Sequence, residues 1–186
     1  MLEAQATRNL PQKLTISGSG AASILPLGPM TRLSLRADAD AVKALSKALG
    51  IDLPTQPLTS AEKDGRMAFW LGPDEWFLID ATGADMMALL AGVKALHSAT
   101  DVSHRNTAFE VKGPQAAAAI NAGCPLDLRD AAFPVGKCAR TLLGKVEVIV
   151  WRKSADTFHV ECWRSFSTYA LGMLNEGASD AADAAA

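Results

Sequence analysis

The chain has 186 residues, 49% hydrophobic and 20% charged. That balance excludes a disordered chain, and the length lets a little over one domain bury a core without disulfide or metal staples. Lys and Arg number 18 against 20 Asp and Glu, a formal charge of -2, so there is no electrostatic case for a nucleic acid or an anionic membrane as partner.

Residues 1–30 read as an irregular arm, punctuated by Pro11, Gly18, Gly20, Pro26, Gly28 and Pro29. Ile24, Leu25 and Leu27 give the arm apolar surface to pack on something. From Thr31 to Arg36, Leu33 and Leu35 alternate with Arg32, Ser34 and Arg36, the period of a half-buried strand. Val42, Leu45 and Leu49 follow at helical spacing, with Asp38 or Asp40 as N-cap and Gly50 as stop. Met67–Leu71 and Trp76–Ile79 predict two strands joined by the turn Gly72-Pro73-Asp74-Glu75. A second helix begins near Ala84, with Met86, Leu89, Leu90, Val93 and Leu96 on one face and His97 at its end.

The order then repeats. Ala108–Lys112 is a strand, Pro114 opens an alanine-rich helix, and Gly123 closes it. Val146–Trp151 and Phe158–Trp163 form a hairpin pair, and a last helix follows Ser165 with Phe166, Tyr169, Met173 and Leu174 inward. Each half therefore reads strand, helix, strand, strand, helix. The fold class is α+β, with mainly antiparallel sheet and helices on one side. Residues 31–176 form a single domain of two similar halves, 31–98 and 101–176, closed by intertwining or by packing face to face. Residues 177–186, which carry no large apolar side chain, read as a flexible tail.

Three cysteines without C-x-x-C spacing, Cys124, Cys138 and Cys162, argue against a disulfide framework or a structural zinc site. No apolar run reaches the roughly 18 residues of a membrane span. The start Met1-Leu2-Glu3-Ala4-Gln5 lacks the basic and apolar regions of a secretory signal. The expected setting is reducing and cytoplasmic.

Reactive constellations are sparse. Gly18-Ser19-Gly20-Ala21-Ala22-Ser23 misses the last small residue of a dinucleotide fingerprint, and Pro26 spoils the helix that must follow. His159 and Cys162 lie three apart on a strand and so face opposite ways, unable to share one ion. Asp101, Ser103 and His104 have the residue types of an acid–base pair and a nucleophile. Just ahead of a strand, though, Asp and Ser more often tie up loop amides. Arg140 has the fork that a carboxylate of this chain or a partner would accept. The tryptophans Trp70, Trp76, Trp151 and Trp163 fall on the hairpins, as core or as aromatic anchors for another chain.

The segment Leu71-Gly72-Pro73-Asp74-Glu75-Trp76-Phe77-Leu78-Ile79 resembles the "LGPDEWL" phrase of sarcosine oxidase gamma subunits. Asp101-Val102-Ser103-His104-Arg105 is similar to their "DVSHR" step. Cys124-Pro125-Leu126-Asp127-Leu128, Gly136-Lys137-Cys138-Ala139-Arg140-Thr141 and Phe158–Phe166 continue the pattern in order. The resemblance implies the non-catalytic structural gamma subunit of a heterotetrameric complex of alpha, beta, gamma and delta chains. Such a complex oxidatively demethylates sarcosine to glycine, with tetrahydrofolate as methylene acceptor and hydrogen peroxide as product. It further implies no cofactor in this chain, FAD, FMN, NAD, tetrahydrofolate and zinc in the companion chains, and direct contact with alpha. The implied fold is similar to the folate-binding domain of the glycine-cleavage aminomethyltransferase. Iron–sulfur-assembly proteins of that fold carry an aromatic after their Lys-Gly-Cys and then a Gly-Gln-Glu. Gly136-Lys137-Cys138-Ala139-Arg140 has neither, which weakens a redox reading of Cys138. The expected interface anchors are Trp76, Arg105, Arg140 and Trp163, over an area of about 2,000 Å² or more. The alternative is a free-standing folate-binding or aminomethyltransferase-like protein, with Asp101 toward the pterin.

Overall fold

Leu33 and Leu35 leave one side of their strand while Arg32, Ser34 and Arg36 leave the other, and this alternation decides how the layers stack. The structure, a computed structural model, describes residues 16–184. Its strands in chain order are Ser17–Gly18 (β1), Ser23–Pro26 (β2), Thr31–Ala37 (β3), Ser60–Lys63 (β4), Arg66–Gly72 (β5), Glu75–Asp80 (β6), His97–Asp101 (β7), Asn106–Lys112 (β8), Cys138–Leu143 (β9), Val146–Ser154 (β10) and Thr157–Trp163 (β11). The α-helices are Val42–Leu49 (α1), Met86–Leu90 (α2), Ala116–Asn121 (α3) and Ser167–Asp183 (α4). The strands make two antiparallel sheets, a five-stranded one in the order β4-β5-β6-β3-β7 and a six-stranded one in the order β1-β2-β8-β11-β10-β9.

Four layers follow. Leu33, Leu35, Ala68, Trp76 and Leu78 of the five-stranded sheet pack on Leu45 and Leu49 of α1 and Met86 and Leu90 of α2. Phe109, Val148, Val150, Phe158 and Val160 of the six-stranded sheet pack on Ala119 and Ile120 of α3 and Ala170, Leu174 and Ala178 of α4. The opposite faces meet each other through Met67, Phe69, Phe77 and Ile79 on one side and Cys138, Ile149 and Trp151 on the other. Each fully buried leucine or phenylalanine contributes about 1.5–3 kcal/mol relative to exposure. The molecule is thus an α+β helix–sheet–sheet–helix sandwich whose two sheets lie face to face.

The halves correspond strand for strand, with β4-β5-β6-β3 matching β9-β10-β11-β8 in spatial order. Beyond β3 lies β7, from the end of the first half. Beyond β8 lies β2, from the N-terminal arm.

Four expectations need correction. The arm is not irregular where it is described: β1 and β2 form a hairpin that extends the six-stranded sheet, while Pro11 lies outside the described residues. The second helix stops at Leu90. Leu96 is 83% exposed, and His97 begins a strand that gives β3 its second neighbour, so it does not end a helix. Phe166 and Tyr169 do not turn inward; both are exposed beside the buried Leu174. The expected tail is helical from Gly177 to Asp183, with Gly177, Ala178 and Ala181 buried. Its small residues are the reason. A Cβ on Gly177 would lie 2.1 Å from the carbonyl oxygen of Ala119, so glycine lets α4 settle directly on α3. The last two residues, 185 and 186, lie outside the described ones.

Candidate functional site

The face of β3 opposite its leucines points into the layer between the sheets. Arg32 is buried there, its Nε donating to Glu161 on β11 and its Nη1 to the carbonyl oxygen of Met30 at 3.1 Å. Glu161 also holds His159 Nε2 at 2.8 Å. Phe69 and Trp151 pack around that imidazole, with ring centroids 6.2 and 6.3 Å from it. Arg32 Nη2 and Trp151 Nε1 find no hydrogen-bond partner among the described residues. A guanidinium and a carboxylate this far from water are held by each other, because neither has solvent to fall back on.

Four residues along β3, the same layer opens to solvent. Glu75, at the start of β6, receives Arg36 Nη2 at 2.9 Å and both terminal nitrogens of Arg140 on β9. Arg36 also reaches Asp74 at 3.1 Å, and Arg140 Nε lies 3.9 Å from Glu147. The bond to Glu75 raises the Arg140 pKa above the usual arginine value, outweighing partial burial. Arg36, Glu75, Arg140 and Glu147, with Arg105 and Trp163, line a cleft of about 340 Å³ between the sheets.

At the edge of that cleft a stack of flat groups stands on the surface. The guanidinium of Arg105 lies 4.2 Å from the Trp163 ring centroid, and Trp163 stacks on Phe166 at 6.0 Å and 22°. Beside it runs an open groove of about 560 Å³ lined by His104, Arg105, Trp163, Arg164 and Ser165.

Of the expected anchors, Arg105, Arg140 and Trp163 therefore come together around one cleft. Trp76 does not join them. It is 1% exposed on the helix side of its sheet, with its Nε1 donating to the carbonyl oxygen of Pro54 at 2.7 Å, and it has no surface to offer a partner. Arg140 does form the fork its type suggested, to Glu75 within the chain. The missed members were Glu75, Arg32 and Glu161. Nothing in their local spacing marks them, because their partners lie far off in sequence, Arg32 meeting Glu161 and Glu75 meeting Arg140 across the two sheets.

The remaining constellations resolve into structure. Ser103 N donates to Asp101 Oδ1 at 2.7 Å, and Ser103 Oγ accepts the Arg32 amide at 2.8 Å, so the Asp-Val-Ser-His turn is tied to β3 while His104 stays exposed. Ser19 Oγ accepts the Ala22 amide at 3.2 Å and donates to Ala178 O at 2.9 Å, closing the turn between β1 and β2. Burial pushes the Cys138 and Cys162 thiols up to about 12. His159 faces the inter-sheet layer and Cys162 the helix side. Among the described residues no group of three or more His, Cys, Asp or Glu is placed to hold a metal ion, and no helix is long and apolar enough to cross a membrane.

This geometry can be set beside known proteins. The model of the sarcosine oxidase gamma subunit family matches residues 32–180. The chain is 29% identical over 171 residues to the sarcosine oxidase subunit gamma of Corynebacterium sp. (strain P-1), covering 88% of this chain and 83% of that one. It is 30% identical over 151 residues to the Arthrobacter sp. subunit gamma, covering 77% and 73%. Among solved structures it superposes on a chain of the heterotetrameric sarcosine oxidase of Corynebacterium sp. U-96 with a TM-score of 0.81, at 26% identity over 89% of this chain and 87% of that one. The glycine cleavage system aminomethyltransferase T of Bartonella henselae shares the fold, with a TM-score of 0.64 at 16% identity, over 83% of this chain but 45% of that one. The chain belongs to the sarcosine oxidase gamma subunit family.

Proposed function

We propose that this chain is the structural, non-catalytic gamma subunit of a heterotetrameric sarcosine oxidase. The complex demethylates sarcosine to glycine, passes the one-carbon unit to tetrahydrofolate and releases hydrogen peroxide. FAD, FMN, NAD, tetrahydrofolate and zinc reside in the companion subunits, and the contact of this chain is with alpha. The observation that carries the reading is the superposition on a chain of a heterotetrameric sarcosine oxidase over most of both chains.

The chemistry of the site supports it. The cleft carboxylate of Glu75 is engaged by two arginines, Ser103 is committed to the backbone of β3, and two of the three thiols are held protonated by burial. These groups stabilise a shape, and none is poised for proton or electron transfer.

The test is peroxide release from sarcosine, measured for the purified chain and for the co-expressed complex. The reading expects turnover from the complex and none from the chain. Turnover by the chain alone refutes it. Calorimetric titration of the isolated chain with tetrahydrofolate separates the free-standing alternative, because micromolar binding would favour a folate protein in its own right.

A further inference from the structure

We infer that the Arg105–Trp163–Phe166 stack is a docking point for a carboxylate-bearing segment of a companion subunit; the inference rests on the subunit reading and deepens it. Arg105 ends the turn that ties β7 to β8, and Trp163 closes β11. The amide of Arg164 donates to the carbonyl oxygen of Arg105 at 2.7 Å, so the two ends are pinned side by side. The pinning fixes the guanidinium over the indole at 4.2 Å. Phe166, at the end of the short turn Arg164–Phe166, stacks on the same indole.

The guanidinium is ordered by stacking, yet its hydrogen-bonding edge meets no carboxylate among the described residues. The neighbouring arginines differ: Arg36 and Arg140 are spent on Asp74, Glu75 and Glu147. The adjoining groove is lined by His104, Arg105, Trp163, Arg164 and Ser165, two arginines and a histidine with no acidic residue. Trp163, 39% exposed, gives the groove an aromatic wall as well as a cationic one, and the equally exposed Phe166 stacks on it. Charge complementarity names the occupant: an Asp or Glu side chain forking onto Arg105, with an apolar neighbour against the indole. Arginine and tryptophan are the residues on which binding energy concentrates at protein interfaces. A guanidinium already fixed by stacking loses little further freedom on binding.

The test uses the tagged full chain co-expressed with its companion subunits. Arg105→Glu and Trp163→Ala are compared with wild type and with Arg129→Glu, a change at an exposed arginine whose ion pair among the described residues is with Asp127. The expected result is at least a tenfold loss of recovered companions for the first two, little change for Arg129→Glu, and a wild-type complex that dissociates as salt rises. Full recovery with Arg105→Glu overturns the docking point while leaving the subunit reading intact. Failure of the wild-type chain to recover any companion overturns both. A photo-crosslinking residue at Phe166 keeps the question decidable if a variant misfolds. Capture of an Asp- or Glu-bearing companion peptide supports the inference. Capture of a peptide without a carboxylate, or of a second copy of this chain, sinks it.

Discussion

The two ends of the inter-sheet layer use the same chemistry in opposite surroundings. At the closed end an arginine of the five-stranded sheet, Arg32, meets a glutamate of the six-stranded one, Glu161, with side chains 2% and 0% exposed. At the open end the donors are reversed. Arg140 of the six-stranded sheet meets Glu75 of the five-stranded one, at 37% and 13%. Both pairs bridge the sheets. Without solvent, the first pair joins them through two charges that cannot part cheaply. The second is partly open to water and shared with Arg36, so it shapes a cleft more than it holds the fold. One end is fixed structure, and the other is surface available to a neighbour.

The comparison breaks most visibly at Glu161. Glu161→Ala strands the buried guanidinium and is expected to cost about 3–5 kcal/mol, read as a shifted denaturant midpoint. The double variant Arg32→Met with Glu161→Leu removes both charges and is expected to recover most of that loss. If Glu161→Ala leaves the midpoint unchanged, the closed end is not fixed by this pair.

Arg66–Asp80, on the helix side of the five-stranded sheet, is intermediate in exposure, at 17% and 1%. Burial alone would raise the Asp80 pKa. Bonds from Thr82, Arg66 and the Ala84 amide outweigh it and leave the value below the ordinary 3.8. A depressed carboxyl stabilises the folded state above its unfolded pKa, and that stability is lost as pH falls through the folded one. Stability is therefore expected to fall below about pH 4, and Asp80→Asn is expected to flatten the acid limb of a pH–stability curve. An acid limb of the same slope in both proteins would remove Asp80 from the account.

The smallest effect belongs to the open end. Arg140→Ala is expected to change stability by about 1 kcal/mol or less, with the difference shrinking in high salt. A loss as large as that of Glu161→Ala would erase the distinction between the ends.

The helix side of each sheet was legible in the sequence, because Leu33 and Leu35, or Phe109 and Val111, alternate with polar neighbours. The inter-sheet layer was not. Arg32, Ser34 and Arg36 read as one solvated face, yet Arg32 is buried and Arg36 is open, a difference set by the depth at which the second sheet covers the strand. The short strands Ser60–Lys63 and His97–Asp101 are edge strands with little buried surface, so no apolar alternation marked them. The end of the final helix, Gly177–Asp183, was hidden because alanine and glycine carry no bulk. Close approach to α3 makes their smallness the useful property there. Arg105, Arg140 and Trp163, singled out by residue type and family phrase, lie together at the cleft, whereas Trp76 is buried away from it. On β6, Trp76 and Phe77 point to opposite sides of the sheet, one toward the helices and one toward the other sheet.

The most direct test of the structural-subunit account is native mass spectrometry of the assembly recovered through a tag on this chain, co-expressed with the three companions. The account predicts one dominant species whose mass sums four different chains, this one contributing 19.6 kDa. A dominant species of 19.6 kDa, or multiples of it alone, would contradict it.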